Sequence, residues 1–244
     1  MIKRNYYKIV RVFPDPSSYF YIKHEMMNEE QISFSYEWAP TVNLEYSFDK
    51  LNWTRVDGGI MYVPGDSYMY LRNTSGTFCT SGYTQVLYPN ENISLGGDIR
   101  TLFNYTDVES VTKIPDYGFS YTFTMQEDSK CIDISNLSFR GVTEIGNYGL
   151  FEAFSWNYIG AKGVDLRDVT TLGDNALSSL YQSSFNIKEV YAPNVSTWDT
   201  NKTSSWLNSV ASTGVVYKPS TLTIPINNNS GVPYGWTTQD YPVE

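Results

Sequence analysis

The side chains best suited to chemistry in this sequence are aromatic rings set among polar residues. Between positions 156 and 206, tyrosines and tryptophans alternate with Asn, Asp and Ser residues. A ring stacks on the C–H face of a sugar, and neighbouring polar groups bond its hydroxyls. The pattern predicts a shallow carbohydrate-binding surface, with the alternative that most of these rings are buried in a core or in a subunit interface. The candidate surface-binding residues are Trp156, Tyr158, Tyr191, Trp198 and Trp206.

Catalysis has little support in the residue types. A Ser-His-Asp or Cys-His arrangement would have to use His24, the single histidine. The acidic pairs Glu29/Glu30 and Glu127/Asp128 have the groups that glycosidic cleavage needs. Adjacent carboxylates in polar sequence are more often solvated turns, and no nucleotide-binding glycine motif occurs. We therefore expect a protein that is not an enzyme and that has no catalytic residues and no cofactor.

The two cysteines, Cys79 and Cys131, exclude a zinc site. They lie 52 residues apart, without CxxC spacing and with a single histidine in the chain, which is too few soft ligands. We expect no metal. The spacing leaves a disulfide open and favours buried free thiols.

One short phrase organises the chain, because it is written three times and echoed once. Val-Thr-x-Ile followed by a Gly or Pro turn occurs at 111–119, 142–150 and 169–177, and a degraded copy occurs at 195–199. The intervals between first residues are 31, 27 and 26 residues. Repetition at such a period predicts a solenoid, in which each unit buries its apolar face against its neighbours.

Within each repeat, the Val-Thr-x-Ile core predicts a short strand and then a turn, followed by one helical or 3₁₀ turn. Phe123, Phe154 and Tyr181 follow their phrases at comparable distances, which predicts a ladder of stacked core rings. The strands 137–140 and 164–167 also align. Their arginines, Arg140 and Arg167, would then lie on one face, near a carboxylate such as that of Asp168.

The N-terminal segment differs from the rest of the chain in charge. Five basic and two acidic residues give residues 1–25 a charge of +3. The whole chain has a charge of −9, so the remaining residues carry −12. Alternating aromatic or β-branched and basic positions predict an extended arm over 1–27 that pairs with another subunit. The alternatives are a solvated basic tail and the first strand of the next domain. The candidate docking residues are Lys3, Arg4, Tyr6, Tyr7, Lys8 and Arg11.

The predicted fold is mainly β. After the arm, short alternating strands about ten residues apart predict a small antiparallel β-sandwich over 28–98. The repeats fill 99–212, and 213–244 is the atypical end that would cover the last apolar face. The net charge of −9 argues against nucleic acid as a partner. No apolar run is long enough for membrane insertion, and the first residues lack the apolar core of a secretory signal.

The repeat phrase resembles the BspA-type leucine-rich repeat, whose units run Leu-Thr-x-Ile-Gly-x-x-Ala-Phe. The segment 231–237 resembles a closing motif of tail- and head-fibre-like proteins of gut Bacteroidales phages, including crAss-like phages. Segments 44–54 and 96–102 resemble the β domain and the joining segment of those proteins. The resemblance covers about residues 30–240. The chain departs from it in lacking the cysteine-rich repeat positions and in its weak fourth unit.

This resemblance implies a virion surface protein: a head fibre or capsid decoration, or a tail fibre. The arm would dock on capsid or tail proteins, and the repeats would adhere to a host-surface glycan or protein. Such fibres are commonly closed oligomers, so a homotrimer is expected. The protein would be made in the host cytoplasm and released by lysis. The alternatives are a polysaccharide-degrading fibre enzyme and a bacterial surface adhesin.

Overall fold

The computed structural model of the protein describes residues 19–24, 30–34, 44–56, 59–73, 88–89, 92–124, 132–156, 160–227 and 229–242. This part of the chain is mainly β, as predicted. The six candidate docking residues between Lys3 and Arg11 lie outside the described residues. So do Tyr158, Cys79 and Cys131.

The described residues form sixteen short strands and two 3₁₀ turns, the latter at Ile99–Leu102 and Val108–Ser110. The strands are β1 (Phe20–His24), β2 (Glu30–Phe34), β3 (Leu44–Ser47), β4 (Thr54–Arg55), β5 (Gly59–Val63), β6 (Ser67–Asn73), β7 (Tyr88–Pro89), β8 (Ile93–Asp98), β9 (Lys113–Ile114), β10 (Ile132–Ser138), β11 (Glu144–Ile145), β12 (Lys162–Asp165), β13 (Thr171–Leu172), β14 (Glu189–Tyr191), β15 (Val215–Lys218) and β16 (Thr237–Asp240).

A six-stranded sheet in the order β10-β8-β1-β6-β3-β4 carries the N-terminal half. All of its pairs are antiparallel except β8–β10, which is parallel. A second, antiparallel sheet has the order β5-β2-β7. These strands fit the predicted antiparallel β unit. The larger sheet, however, extends across both predicted limits of that unit, because β1 and β10 belong to it.

The position of β1 corrects the predicted arm. The strand Phe20–His24 lies between β6 and β8, with Ile22 opposite Met69 on one side and Leu95 on the other. Phe20 and Ile22 are buried, because this alternation of apolar residues serves the core of the sheet. Residues 20–24 therefore belong to the β unit, the alternative that the sequence left open, and any arm is limited to the residues before position 19.

The three copies of the phrase stack in register. Their strands β9, β11 and β13 form a parallel sheet in which Glu144 pairs with Lys113 on one side and with Thr171 on the other. Ile145 lies between Ile114 and Leu172 in the same way. The predicted short strand within each phrase is confirmed, and neighbouring copies are hydrogen-bonded to each other.

A second parallel sheet runs along the other side of the repeats in the order β12-β14-β15-β16. The second and third repeats each supply one phrase strand, a run of turns and one strand of this second sheet, whereas the first repeat is followed by β10 of the six-stranded sheet. We call each such unit a coil. The degraded fourth copy at 195–199 forms no strand, although its coil still supplies β15. The strands β15 and β16 continue the sheet, so much of the predicted cap 213–244 is further stacking.

Aromatic rings form the central column of the core. Phe123 stacks on Phe154 with ring centroids 5.5 Å apart, and Phe154 stacks on Tyr181 at 6.0 Å. This is the predicted ladder, and β1 extends it, because Phe20 stacks on Phe123 at 6.0 Å. The β unit and the coils therefore share one apolar core.

A buried arginine completes the joint between the two parts. The Arg100 guanidinium pairs with Asp98 at 2.8 Å and with Glu109 at 3.2 Å, and its side chain is 8% exposed. Both carboxylates raise the Arg100 pKa, the Asp98 hydrogen bonds most, so the charge is permanent. Gly141, with a φ of 81°, packs on this group: a Cβ there would lie 2.6 Å from the guanidinium. The turn after β10 thus requires glycine for both conformation and space.

The ring ladder predicts a large loss of stability for Phe154→Ala. The Phe154 ring is fully buried between two others, so its removal should lower the free energy of unfolding by about 3–5 kcal/mol. Trp156→Ala, in the same run of turns but at a half-exposed position, should cost less than about 1 kcal/mol. Urea unfolding followed by circular dichroism measures both. Equal losses at the two positions would show that Phe154 does not belong to a packed ladder.

Candidate functional site

The turns between the two parallel sheets have an uncommon and regular backbone. These turn segments are 116–123, 147–156, 174–183 and 200–209. Within them, every fourth residue has a left-handed conformation, with φ between 51° and 60°. None of these residues is glycine. They are Tyr117, Tyr121, Tyr148, Glu152, Trp156, Asn175, Ser179, Ser183, Ser205 and Ser209.

Hydrogen bonds between coils hold these residues in place. The N–H of Tyr148 donates to the Asp174 carbonyl of the next coil at 2.8 Å, and the Glu152 N–H donates to Ser178 at 3.0 Å. Alternate N–H groups bond within their own coil instead, as Gly149 does to the Gly146 carbonyl at 3.0 Å. A left-handed residue other than glycine costs about 1–2 kcal/mol. At eight of the ten positions an N–H bond to the next coil offsets that cost.

The register of this ladder sets the left-handed residues in rows across the coils. One row contains Tyr117, Tyr148 and Asn175; the next contains Tyr121, Glu152, Ser179 and Ser205; the third contains Trp156, Ser183 and Ser209. Nearly all are partly or fully exposed. We call the surface that they form the turn face. Its first two coils carry aromatic rings, and its later coils carry small polar residues.

Four rings cluster on the aromatic half of the turn face. Tyr117 and Tyr148 stack almost parallel, at 5.1 Å and 5°, and Tyr121 packs edge-on against Phe151 at 5.2 Å. Phe151 also contacts Tyr148 at 5.5 Å, so the four rings are continuous. All four are partly exposed. We call this cluster the ring platform.

Polar groups border the ring platform. The Tyr121 hydroxyl donates to the Glu152 carboxylate at 3.4 Å, and burial raises the pKa of Glu152. On the other side, Asn147 forms hydrogen bonds with both neighbouring coils. Its backbone N–H donates to the Asp116 carboxylate at 3.0 Å. Its side-chain oxygen then accepts from the Asp174 N–H at 2.8 Å. The rings therefore stand between fixed hydrogen-bonding groups, the arrangement that recognition of a sugar requires.

The structure separates the predicted surface-binding residues. Trp156 is 51% exposed and lies on the turn face. Trp206 is buried, and its indole N–H donates to the Gly231 carbonyl at 2.8 Å. Trp198 packs against Trp206 and donates to the Ser230 carbonyl at 2.6 Å. These two tryptophans therefore hold the segment 230–231 in place. The prediction of Trp206 as a surface-binding residue is wrong, because its ring is in the core.

Tyr191 lies elsewhere, on the second parallel sheet. Its ring stacks on Tyr217 at 4.7 Å, and the cations of Lys162 and Arg167 lie 5.1 and 5.2 Å from its centroid. Burial, followed by the neighbouring Glu189, raises the Tyr191 pKa to about 12. Tyr191 therefore lies apart from the turn face, with its ring against Tyr217 and beside two cations.

The predicted arginine face exists as a cleft of about 500 Å³ whose lining includes Arg140, Arg167, Asp165 and Asp168. Arg167 is bound to Asp165 at 2.8 Å, and Asp168 accepts the N–H of Gly141 at 2.8 Å. Asp165 is thus the principal partner of Arg167, rather than the predicted Asp168. Two cations and two carboxylates balance here, so the cleft has no strong preference for a charged ligand.

The described residues give no catalytic arrangement around His24. This residue is buried at the end of β1, and neither ring nitrogen has a hydrogen-bond partner. No three His, Cys, Asp or Glu side chains in the described ranges gather where they could hold a metal ion. No helix in the same ranges is long and apolar enough to cross a membrane.

The ring platform was not singled out from the sequence, and three of its residues lie inside or beside the repeated phrase. The signal was present: a tyrosine precedes the Gly of both 117–118 and 148–149. What the sequence did not reveal is the left-handed backbone at every fourth residue, since Tyr, Glu and Trp rarely adopt it. Comparison of the chain with protein-family models, curated proteins and solved structures finds no match.

The turn face predicts an unusual response at Ser179, whose φ is 55°. Ser179→Gly should raise the free energy of unfolding by about 0.5–1 kcal/mol. Glycine removes the energetic penalty of the left-handed conformation, and part of that gain is lost because glycine gives up more backbone entropy on folding. Ser179→Val should lower it, since a β-branched side chain tolerates this conformation least. Urea titration of the three proteins tests the pair. A gain with both substitutions would contradict the left-handed assignment.

Proposed function

We propose that the protein is a non-enzymatic surface-display protein that binds carbohydrate through the ring platform. The observation that carries the proposal is the Tyr117–Tyr148 stack, partly exposed at 5.1 Å spacing and bordered by Asp116, Asn147 and Glu152. The ring surface that the stack leaves exposed offers apolar contact to sugar C–H groups, and the bordering groups can bond hydroxyls.

Rigidity supports the same proposal. The backbone of the platform is bonded across coils at Tyr117, Tyr121 and Tyr148, with distances of 2.8, 2.9 and 2.8 Å. Such residues lose little further freedom when a ligand binds, which leaves more of the contact energy as affinity. A shallow, preorganised surface of this kind suits adhesion to a polymer better than enclosure of a small molecule.

We propose further that the coils are a BspA-type leucine-rich-repeat solenoid on the surface of a bacteriophage virion. The in-register parallel stacking of β9, β11 and β13 supports the repeat. The virion setting has the sequence resemblance as its support. In that setting the protein is a head fibre, capsid decoration or tail fibre, docked on capsid or tail proteins by its first residues and assembled as a homotrimer.

A polysaccharide-degrading fibre is the second candidate, and Glu152 is the observation that favours it. A carboxyl group whose pKa is raised by burial, beside a ring cluster, is what a general acid needs. Incubation with the polysaccharide that the protein binds, followed by sizing of the products, distinguishes the two. If the wild type shortens the polysaccharide and Glu152→Gln does not, the protein is a hydrolase rather than an adhesion protein.

Binding by the ring platform predicts a loss of affinity for Tyr148→Ala. Removal of the ring should weaken binding to the best-bound member of an immobilised polysaccharide panel by about tenfold, equivalent to about 1.4 kcal/mol. Tyr148→Phe keeps the ring and should stay within about twofold. Tyr234→Ala removes a tyrosine that is 66% exposed on another part of the chain and should have no effect.

Surface plasmon resonance measures these affinities, and circular dichroism confirms that each variant is folded. Unchanged binding by folded Tyr148→Ala would remove the ring platform from the proposal.

Docking by the first residues predicts that deletion of 1–18 leaves a folded protein that no longer joins particles. The deletion stops before β1, because Phe20–His24 is needed in the six-stranded sheet. The measurement is co-sedimentation of full-length and truncated protein with virions purified from a phage that lacks the gene. Ile226→Ala, at a position that is 65% exposed in the C-terminal part of the chain, serves as the control. Truncated protein that still sediments with particles would exclude the arm.

A further inference from the structure

A polar cleft continues the turn face beyond the ring platform. It has a volume of about 630 Å³ and is lined by Asp174, Asn175, Thr200, Asn201, Ser204, Asn229 and Ser230. The ladder between coils fixes its position, because the Tyr148 N–H donates to the Asp174 carbonyl at 2.8 Å. The cleft therefore begins on the coil next to the last ring of the platform.

Several side chains that line the cleft have hydrogen-bonding groups that the protein itself does not use. Among the described residues, the Asp174 carboxylate, the side-chain amide of Asn201 and the hydroxyls of Thr200 and Ser204 make no hydrogen bond with the protein. By contrast, the backbone of the cleft is fixed: the Ser230 carbonyl accepts from Trp198 at 2.6 Å and from Thr203 at 3.2 Å. Free donors and acceptors on a fixed frame match a ligand rich in hydroxyl groups.

Charge narrows the class of ligand. Asp116, Glu152 and Asp174 place three carboxylates on or beside the turn face, and none of the residues lining the cleft is Lys or Arg. Lys202 is nearby, but its amine donates to the Leu172 carbonyl at 2.7 Å. That hydrogen bond leaves the Lys202 charge in place, but the three carboxylates outnumber it, so a polyanion would meet net repulsion. An uncharged chain meets no such penalty.

We infer that the ring platform and the polar cleft form one extended site for a neutral polysaccharide, whose chain lies across the coils along the axis of the stack. This inference rests on the proposed carbohydrate binding. Adjacent coils are one strand spacing apart, so the row from Tyr117 through Tyr148 and Asn175 to the coil of Asn201 spans about 14 Å. That length holds several sugar rings. Sugars at one end stack on the tyrosines, and sugars at the other end bond the cleft.

The test compares chain length and charge on the full-length protein. The probes are dextran and mannan as neutral chains, their di- and trisaccharides as short forms, and polygalacturonate as the acidic chain. The wild type should bind the better neutral polymer at least tenfold more tightly than polygalacturonate. The double substitution Asn201→Ala/Ser204→Ala should weaken polymer binding by about tenfold and leave the short forms unchanged. Thr238→Ala, on the exposed strand β16, should change neither.

The outcomes separate the extended site from the proposed function. Loss of binding with Tyr148→Ala but not with the double substitution would overturn the extended site and leave the ring platform standing. Equal binding of polygalacturonate would overturn the neutral class. Failure of every carbohydrate to bind the folded wild type would overturn both proposals. If the double variant is unfolded by circular dichroism, Asn201→Ser replaces it, with the same expected loss for the polymer alone.

Discussion

The hydrogen bond from one coil to the next at most of the left-handed residues is the interaction on which the coiled half of this protein depends. It fixes the register of the stack, and it stabilises a backbone conformation that Tyr, Glu and Trp rarely adopt. The consequence is geometrical. Most of the left-handed side chains are turned outward, while many of the residues between, such as Phe119 and Phe123, are directed into the core.

Two features join this stack to the β unit: one is apolar packing, and the other is a set of directional ion pairs. The ring column from Phe20 through Phe123 is apolar contact, which needs no particular orientation beyond good packing. The Arg100 group is directional, because its guanidinium must meet Asp98 and Glu109 at once. Together they make the first coil continuous with the six-stranded sheet, so that the stack starts from a fixed surface.

The residues that could be predicted from the sequence are those whose periodicity matches a regular element. The Val-Thr-x-Ile strands and the Phe123–Phe154–Tyr181 ladder have such a period, and both are found. The role of Phe20–His24 could not be predicted, because the alternating sequence pattern is the same for a strand at a free edge and for a strand inside a sheet. The turn face was hidden for another reason: its conformation comes from bonds between coils, and local propensity opposes it.

The strands at the end of the stack have a consequence for how such a protein can change. Backbone hydrogen bonds join each coil to its neighbours in the stack, and β16 presents four exposed residues at its end. A duplicated or deleted unit of 27 or 31 residues, the spacings between Ile114, Ile145 and Leu172, would keep every remaining register intact. Recombination within the gene can therefore lengthen or shorten the reach of the molecule in whole steps of about 5 Å, without redesign of its fold.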